Sequence, residues 1–85
     1  MDSYKLLIRR SAEKELRDIP KPDLGRIIQR IQALSARPKP HGCEKLSGEE
    51  KYRIRQGDWR IVYEVDDAAR VVEIFKIGHR REVYR

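Results

Sequence analysis

The spacing of apolar residues changes near residue 40, from a helical repeat to the alternation typical of strands. Between residues 22 and 34, apolar side chains recur every three or four positions, which predicts an amphipathic helix. The members of this repeat are Leu24, Ile27, Ile28, Ile31 and Leu34. Pro22 suits the first turn of the helix, and Pro38 stops helical structure beyond it. We expect Arg26 and Arg30 on its exposed face.

A short strand and a short helix are predicted before this helix. Residues 4–9 (YKLLIR) form an apolar run bounded by charge, and the shortness of the run favours a strand. Ser11 is placed to cap a helix whose apolar side includes Leu16, and Pro20 ends that helix. Because only residues 20–22 separate the two helices, we expect them to form a helical hairpin.

The second half of the chain predicts three strands. Segments 51–55, 59–65 and 71–77 are rich in Tyr, Ile and Val, and two short turn-like segments separate them. Strands joined in this way form an antiparallel meander. Residues 41–48 look like a connecting loop, with Leu46 as an anchor on the core.

Together these elements define an α+β fold class. An N-terminal strand and a helical hairpin pack on a small antiparallel sheet that ends in the three-stranded meander. We expect a single domain over residues 1–85, because a chain of this length is too short for two. The residues expected to join the helices to the sheet are Leu16, Ile27, Ile31, Ile61 and Tyr63.

Composition narrows the possible partners. Lys and Arg outnumber Asp and Glu by 20 to 14, and this net charge of +6 favours phosphates or an acidic protein partner. A single cysteine fits a reducing cytoplasm, and the two histidines are too far apart in sequence to suggest a metal site. No cofactor is expected. No apolar run approaches the roughly 20 residues that a membrane-spanning helix needs, so a membrane partner is not expected either.

Strand alternation places basic side chains together. Arg53 and Arg55 share one face of their strand, and Arg60, at the start of the next strand, has the parity of the same face. Two interpretations stay open: the solvated side of a one-sided sheet, or a phosphate-binding patch. Guanidinium groups suit bidentate phosphate binding, and an aromatic such as Tyr84 can stack on an unpaired base, which favours RNA over lipid.

The sequence contains no motif for the commoner catalytic mechanisms. A glycine-rich phosphate loop, a pair of catalytic acids and a Ser/His/Asp order are all absent from it. If the protein is an enzyme, its cations must therefore carry the catalysis.

An ordered set of short motifs lies in positions 45–85. They are LSG at 46–48, YRIR at 52–55, GDWRIVYEVDD at 57–67 and GHRREVY at 78–84. In this order and spacing the set resembles the RelE family of toxins from bacterial and archaeal toxin–antitoxin pairs, within the wider RelE/ParE superfamily. The first half of the chain agrees with that family as a strand and a helical hairpin.

The resemblance implies an endoribonuclease that enters the ribosomal A site and cleaves the messenger there. RelE-like enzymes act without a metal, by attack of the ribose 2′-OH on the adjacent phosphate. The implied protein partner is a disordered RelB-like antitoxin that wraps the toxin. The implied nucleic-acid partners are mRNA and the RNA of the ribosomal A site.

Specific residues follow from the same resemblance. The implied catalytic positions are Arg53, Arg55, Arg60, His79, Arg80 and Tyr84, with Tyr84 expected to stack on the base. The expected RNA-binding residues are Lys51, Arg53, Arg55 and Arg81.

The general base is the point at which this sequence departs from the family. Relatives often have lysines where this chain has Arg53 and Arg55. Deprotonating an arginine at pH 7 costs at least about 7 kcal/mol, because the pKa of a guanidinium lies above 12. We therefore expect the two arginines to stabilise charge. His79, if surrounded by guanidiniums, should stay neutral and accept the proton, which makes it the hypothetical base.

Two other functions stay open at this point. A ParE-like gyrase poison shares the fold and does not itself cleave a bond, but it has no need for Arg60, Arg80 and Tyr84 to converge. A non-catalytic module that binds RNA or the antitoxin is the other alternative. An acidic disordered ligand fits the net charge of +6 in every case.

Overall fold

A five-stranded sheet with two helices makes up the described part of the chain, residues 3–46 and 51–79 of this computed structural model. The elements are, in chain order, β1 (Lys5–Ile8), α1 (Arg10–Arg17), α2 (Lys21–Ala36), β2 (Glu44–Lys45), β3 (Lys51–Gln56), β4 (Trp59–Asp66) and β5 (Val71–His79). The strands lie in the order β1-β5-β4-β3-β2. The α+β fold class predicted from the sequence is confirmed.

The sheet is mixed, with one parallel pair at its edge. Strands β3, β4 and β5 form the predicted antiparallel meander, while β1 pairs with β5 in parallel, with Lys5 opposite Val71. A short apolar run does not encode which strand it will join or in which direction, so the sequence did not indicate this pairing. The two-residue strand β2 lies in the segment expected to be a loop, and it pairs with β3.

Helix α2 follows the sequence prediction closely. It has Pro22 in its first turn and buries Ile27, Ile31 and Leu34. Ile28 completes the repeat but is exposed, because it lies at the margin of the apolar stripe.

Arg30 was expected to be exposed and is half-buried, since its Nη2 donates to the backbone carbonyl of Arg55 at 3.3 Å.

Helix α1 begins earlier than predicted, and the cap assigned to Ser11 is wrong. The N-cap residue is Arg9, with no side-chain capping bond, and Ser11 lies inside the first turn. The cause is in the sheet: the Arg9 N–H donates to the Ile74 carbonyl at 3.0 Å, which extends the pairing of β1 with β5 to the residue before the helix. Residues 18–20 then connect the helices.

The core lies between the helices and one face of the sheet. The buried apolar residues are Ala12, Ile19, Ile27, Ile31, Leu34, Tyr52, Ile54, Ile61, Tyr63, Val65, Val72, Ile74 and Ile77. Of the residues expected to join helices to sheet, only Leu16 is partly buried rather than fully buried. Neither described helix is long and apolar enough to cross a membrane.

Tyr63 connects this core to the chain that follows α2. Its ring stacks on Tyr52 at 5.8 Å between centroids, and its hydroxyl donates to the Pro38 carbonyl at 2.7 Å. Burial is the main reason that the pKa of Tyr63 lies well above its ordinary value, so the phenol keeps its proton and remains a donor at neutral pH.

The end of β5 is held by α1. Because β1 pairs with residues 71–74, the outer edge of β5 beyond Ile74 has no strand partner among residues 3–46 and 51–79. Glu15 of α1 covers part of this edge, where its Oε1 accepts the Ile77 N–H at 2.8 Å. This bond keeps β5 extended up to its last described residues.

Replacing Tyr63 with Phe should lower the free energy of unfolding by about 1 to 3 kcal/mol, because the Pro38 carbonyl loses its donor. Urea unfolding measures this. The matched control is Tyr4→Phe, which removes an exposed hydrogen bond to Asp67 and should cost less. Equal losses in the two variants would contradict the structural role given to the Tyr63 hydroxyl.

Asp67 should make stability depend on acid pH. It accepts a hydrogen bond from the Tyr4 hydroxyl at 2.7 Å and pairs with Lys39 at 2.9 Å, and these partners hold its pKa below the ordinary 3.8. A carboxyl group whose pKa is lower in the folded protein than in the unfolded chain stabilises the fold at pH values above 3.8. That contribution is lost as the pH falls through the pKa of the folded state.

The variant Asp67→Asn should therefore be less stable than the wild type at pH 7, with the difference shrinking below pH 3.8. Unfolding curves across this range test the prediction, with Asp18→Asn, an exposed carboxyl group at the end of α1, as the control. A difference that stays constant with pH would show that Asp67 acts without its charge.

Candidate functional site

Three arginines lie on the sheet face opposite the helices, beside the turn between β3 and β4. Arg53 and Arg55 alternate with the buried residues of β3, and Arg60 is paired directly with Arg55. We call Arg53, Arg55 and Arg60 the arginine cluster. The turn consists of Gly57 and Asp58, and the positive φ of 60° at Gly57 is that of the first central residue of a type II′ turn.

Burial differs sharply within the arginine cluster. Arg60 is only 7% exposed, the Arg53 side chain is 13% exposed and the Arg55 side chain is 61% exposed. Of the two interpretations left open by the sequence, the solvated side of a one-sided sheet therefore does not fit Arg60. Its strand is flanked on both sides, by Arg55 on β3 and by Gly78 on β5, and Gly78 adds no side chain to this face.

Backbone carbonyls fix the position of Arg60. Its Nη1 donates to the carbonyls of Gly57 at 3.2 Å and Trp59 at 3.1 Å. Its Nε has no acceptor within residues 3–46 and 51–79. A buried cation that is held by neutral dipoles, with one donor unused, can bind an added anion strongly.

Glu44 is the member of this site that the sequence did not indicate. In β2 it is paired with Arg53, and its Oε2 lies 3.0 Å from Arg53 Nη2 while its Oε1 lies 3.5 Å from Arg55 Nη2. The hydrogen bond from Arg53 is the main reason that the pKa of Glu44 lies below its ordinary value, and the charges of Arg55 and Arg60 add to the effect. A two-residue strand is too short to show a periodic pattern.

The structure separates His79 from the arginine cluster, which corrects the expected position of the imidazole. His79 belongs to β5, is paired with Trp59 and has the parity of buried Ile77, so it lies on the helix side of the sheet. Its ring meets Trp59 edge-on at 5.7 Å, and its Nε2 is 4.0 Å from the Asp58 carboxylate. Among residues 3–46 and 51–79, His79 therefore lies beside Trp59 and Asp58 and not among the arginine cluster.

Trp59 is partly buried and packs against the core. Its indole N–H donates to Asp23 of α2 at 3.2 Å, which ties the β3–β4 turn to the helical layer. His79 thus lies beside a structural contact between sheet and helix.

Lys51 shares the open face but lies at its other end. Its ammonium group is 4.8 Å from the Phe75 ring centroid, and its strand partner is Glu64. Arg9 covers the same ring at 3.7 Å. A groove of about 770 Å³ at this end is lined by both cations and by four carboxyl groups, those of Glu64, Asp66, Asp67 and Glu73. This end is therefore a poorer place for a phosphate than the arginine cluster.

Three predicted site residues, Arg80, Arg81 and Tyr84, lie outside the described residues. Within the described segments, no group of three or more His, Cys, Asp or Glu side chains could hold a metal ion.

Comparisons with known proteins agree on one family. The family model described as the ParE toxin of the type II toxin–antitoxin system parDE matches residues 6–84. A Methanocaldococcus jannaschii protein that carries the name toxin RelE1 is 30% identical over an alignment of 86 positions, and the alignment covers 96% of each chain. The chain therefore belongs to the RelE/ParE superfamily of type II toxin–antitoxin toxins.

Solved structures show the same fold. The RelE–RelB complex from Pyrococcus horikoshii superposes with a TM-score of 0.81 at 27% identity, covering 94% of this chain and 98% of that chain. The isolated RelE toxin of E. coli superposes with a TM-score of 0.80 at 28% identity, covering 96% of this chain and 92% of that chain.

The fluorescence of Trp59, the only tryptophan in the chain, should report on its contact with His79. The imidazole meets the indole edge-on at 5.7 Å between ring centroids, so replacing it changes the surroundings of the fluorophore. The emission maximum of His79→Gln should therefore differ from that of the wild type, and that of the control His41→Gln should not. Identical emission spectra for the wild type and His79→Gln would contradict the observed contact.

Proposed function

We propose that this toxin is a ribosome-dependent endoribonuclease that cleaves mRNA in the A site and so stops translation. The arginine cluster is the observation that carries the proposal, above all the buried Arg60 held by the carbonyls of Gly57 and Trp59. Arg80, Arg81 and Tyr84 complete the site in this proposal, with Tyr84 stacking on a base and Lys51 binding RNA further along the same face.

In the proposed reaction the ribose 2′-oxygen attacks the adjacent phosphorus. The new O–P bond forms as the 2′-hydroxyl loses its proton and the bond from phosphorus to the 5′-oxygen breaks. The leaving 5′-oxygen takes up a proton, so the products are a 2′,3′-cyclic phosphate and a 5′-hydroxyl. Negative charge grows on the phosphoryl oxygens in the transition state. Fixed, poorly hydrated guanidiniums stabilise such charge well, because they do not reorganise as it develops.

The arginine cluster supports charge stabilisation and not proton removal, since guanidiniums do not deprotonate at neutral pH. His79 was the hypothetical base because it was expected among these cations. Its position on the helix side of the sheet removes that support, so His79 is left out of the proposed reaction. Alignment of the messenger by the ribosome then has the larger share in catalysis.

We also propose a RelB-like antitoxin as the cognate partner and the cytoplasm as the place of action. The Pyrococcus horikoshii relative is a RelE–RelB complex. The net charge of +6 on this chain suits an acidic partner segment.

A second candidate has its own support, because the family model that matches residues 6–84 is that of ParE toxins. A ParE-like toxin would poison gyrase and leave mRNA intact. The two activities are separated by what the toxin arrests: translation with cut mRNA, or DNA supercoiling.

The decisive experiment is cell-free translation with primer extension on the messenger. The wild type should produce cuts at the A-site codon, and Arg60→Ala should reduce single-turnover cleavage by about 100-fold or more, in the range found for the loss of one transition-state donor. Arg55→Ala should also lower the rate. Because Arg55 is exposed, this variant tests the arginine cluster even if Arg60→Ala fails to fold. The control is Arg26→Ala, in an exposed position on α2.

The outcomes distinguish the candidates. Cuts that weaken in both cluster variants but not in Arg26→Ala would support the nuclease. Arrest without cuts, together with inhibited supercoiling by gyrase, would establish the ParE-like activity instead. Neither effect, with RNA or antitoxin binding intact, would leave a non-catalytic binding module.

A further inference from the structure

The carboxylate of Glu44 lies where an anionic ligand of the arginine cluster would bind. One oxygen is 3.0 Å from Arg53 and the other is 3.5 Å from Arg55, so a single anionic group bridges two guanidiniums. Phosphate oxygens make the same kind of bridge. We propose that Glu44 is an internal counter-ion that must be displaced when an RNA phosphate binds; RNA as the incoming anion rests on the proposed function.

The cluster needs an anion in its unbound state. Arg55 and Arg60 are directly paired across two strands, and like charges in such pairs repel. Arg53 and Arg60 are mostly buried, so water screens them poorly. Glu44 is a described carboxylate that relieves this repulsion, and the hydrogen bond from Arg53 holds the pKa of Glu44 below its ordinary value, which favours the ionised form.

Glu44 also lies where its side chain can move away from the arginine cluster. Its side chain is 46% exposed, and it belongs to a two-residue strand at the edge of the sheet. Turning into solvent would cost Glu44 its ion pairs but would require no change in the core. An internal counter-ion of this kind lowers the affinity of the arginine cluster for any anion that cannot replace the contacts of Glu44 with Arg53 and Arg55.

Arg60 supplies a reason for a phosphate to displace Glu44. Its Nε has no acceptor in the part of the chain that the structure describes, and the carboxylate oxygens of Glu44 pair with Arg53 and Arg55. An RNA strand brings ester oxygens beside the two charged oxygens of each phosphate, so it offers more acceptors than a lone carboxylate and can also interact with Arg60, whose charge already acts on Glu44. Glu44 would then set a threshold that favours RNA over a simple carboxylate.

The test is the affinity for a labelled short RNA whose 2′-hydroxyls are methylated, so that it cannot be cut, measured by fluorescence anisotropy at a fixed low salt concentration. Glu44→Gln should bind about tenfold more tightly than the wild type, because no ion pair has to be broken. The control is Glu13→Gln, which changes the net charge equally at an exposed site on α1 and should shift the affinity less than twofold.

Tighter binding by Glu44→Gln alone would support the proposal. Equal affinities, weaker binding by Glu44→Gln, the same gain in Glu13→Gln, or no measurable binding by any variant would overturn it. Thermal unfolding of each variant confirms that the folds compared are intact. The binding test uses no ribosome, so the nuclease proposal can fail while Glu44→Gln still binds more tightly, and the reverse result is equally visible.

Discussion

The burial of Arg60 in the middle of the sheet is the constraint on which the rest of the site depends. A guanidinium does not lose its proton, so a buried one must find acceptors or destabilise the fold. The carbonyls of Gly57 and Trp59 provide them. The turn between β3 and β4 and the cation therefore stabilise each other, and the geometry of one sets the position of the other.

Helix α2 supports this unit from the opposite face of the sheet. Asp23 accepts the indole N–H of Trp59, and Arg30 donates to the carbonyl of Arg55. Both contacts reach the strand ends that flank the turn. The helical layer therefore holds the arginine cluster in place while leaving its open face available to a ligand. This arrangement lets a small domain keep like charges close together at a fixed geometry.

Regular repeats of apolar residues within a segment explain what could be predicted from the sequence. Helix α2 and the meander rest on repeats that extend over many residues, and a period of two was enough to place Arg53 and Arg55 on one face. The burial of Arg60 could not be predicted in this way, because it depends on the register that places Arg55 of β3 and Gly78 of β5 opposite Arg60.

Two other features of the site depend on tertiary contacts. Strand β2 contains two residues and has no period, so the place of Glu44 is visible only through its pairing with β3. The sequence suggested that the last strand ends at Ile77, whereas pairing with β4 extends it to His79. This extension decides the face on which the imidazole lies.

The use of arginine in the cluster limits what the site can contribute to a reaction. A lysine that is mostly buried beside other cations tends to lose its proton, whereas an arginine keeps its charge. The cluster therefore presents a constant field but accepts no proton. Glu44 is a described carboxylate beside it, and the arginines that hold it also lower its pKa and weaken it as a base. In the proposed reaction, removing the 2′-OH proton would therefore fall to the rest of the assembled complex, while the cluster would stabilise the charge that follows.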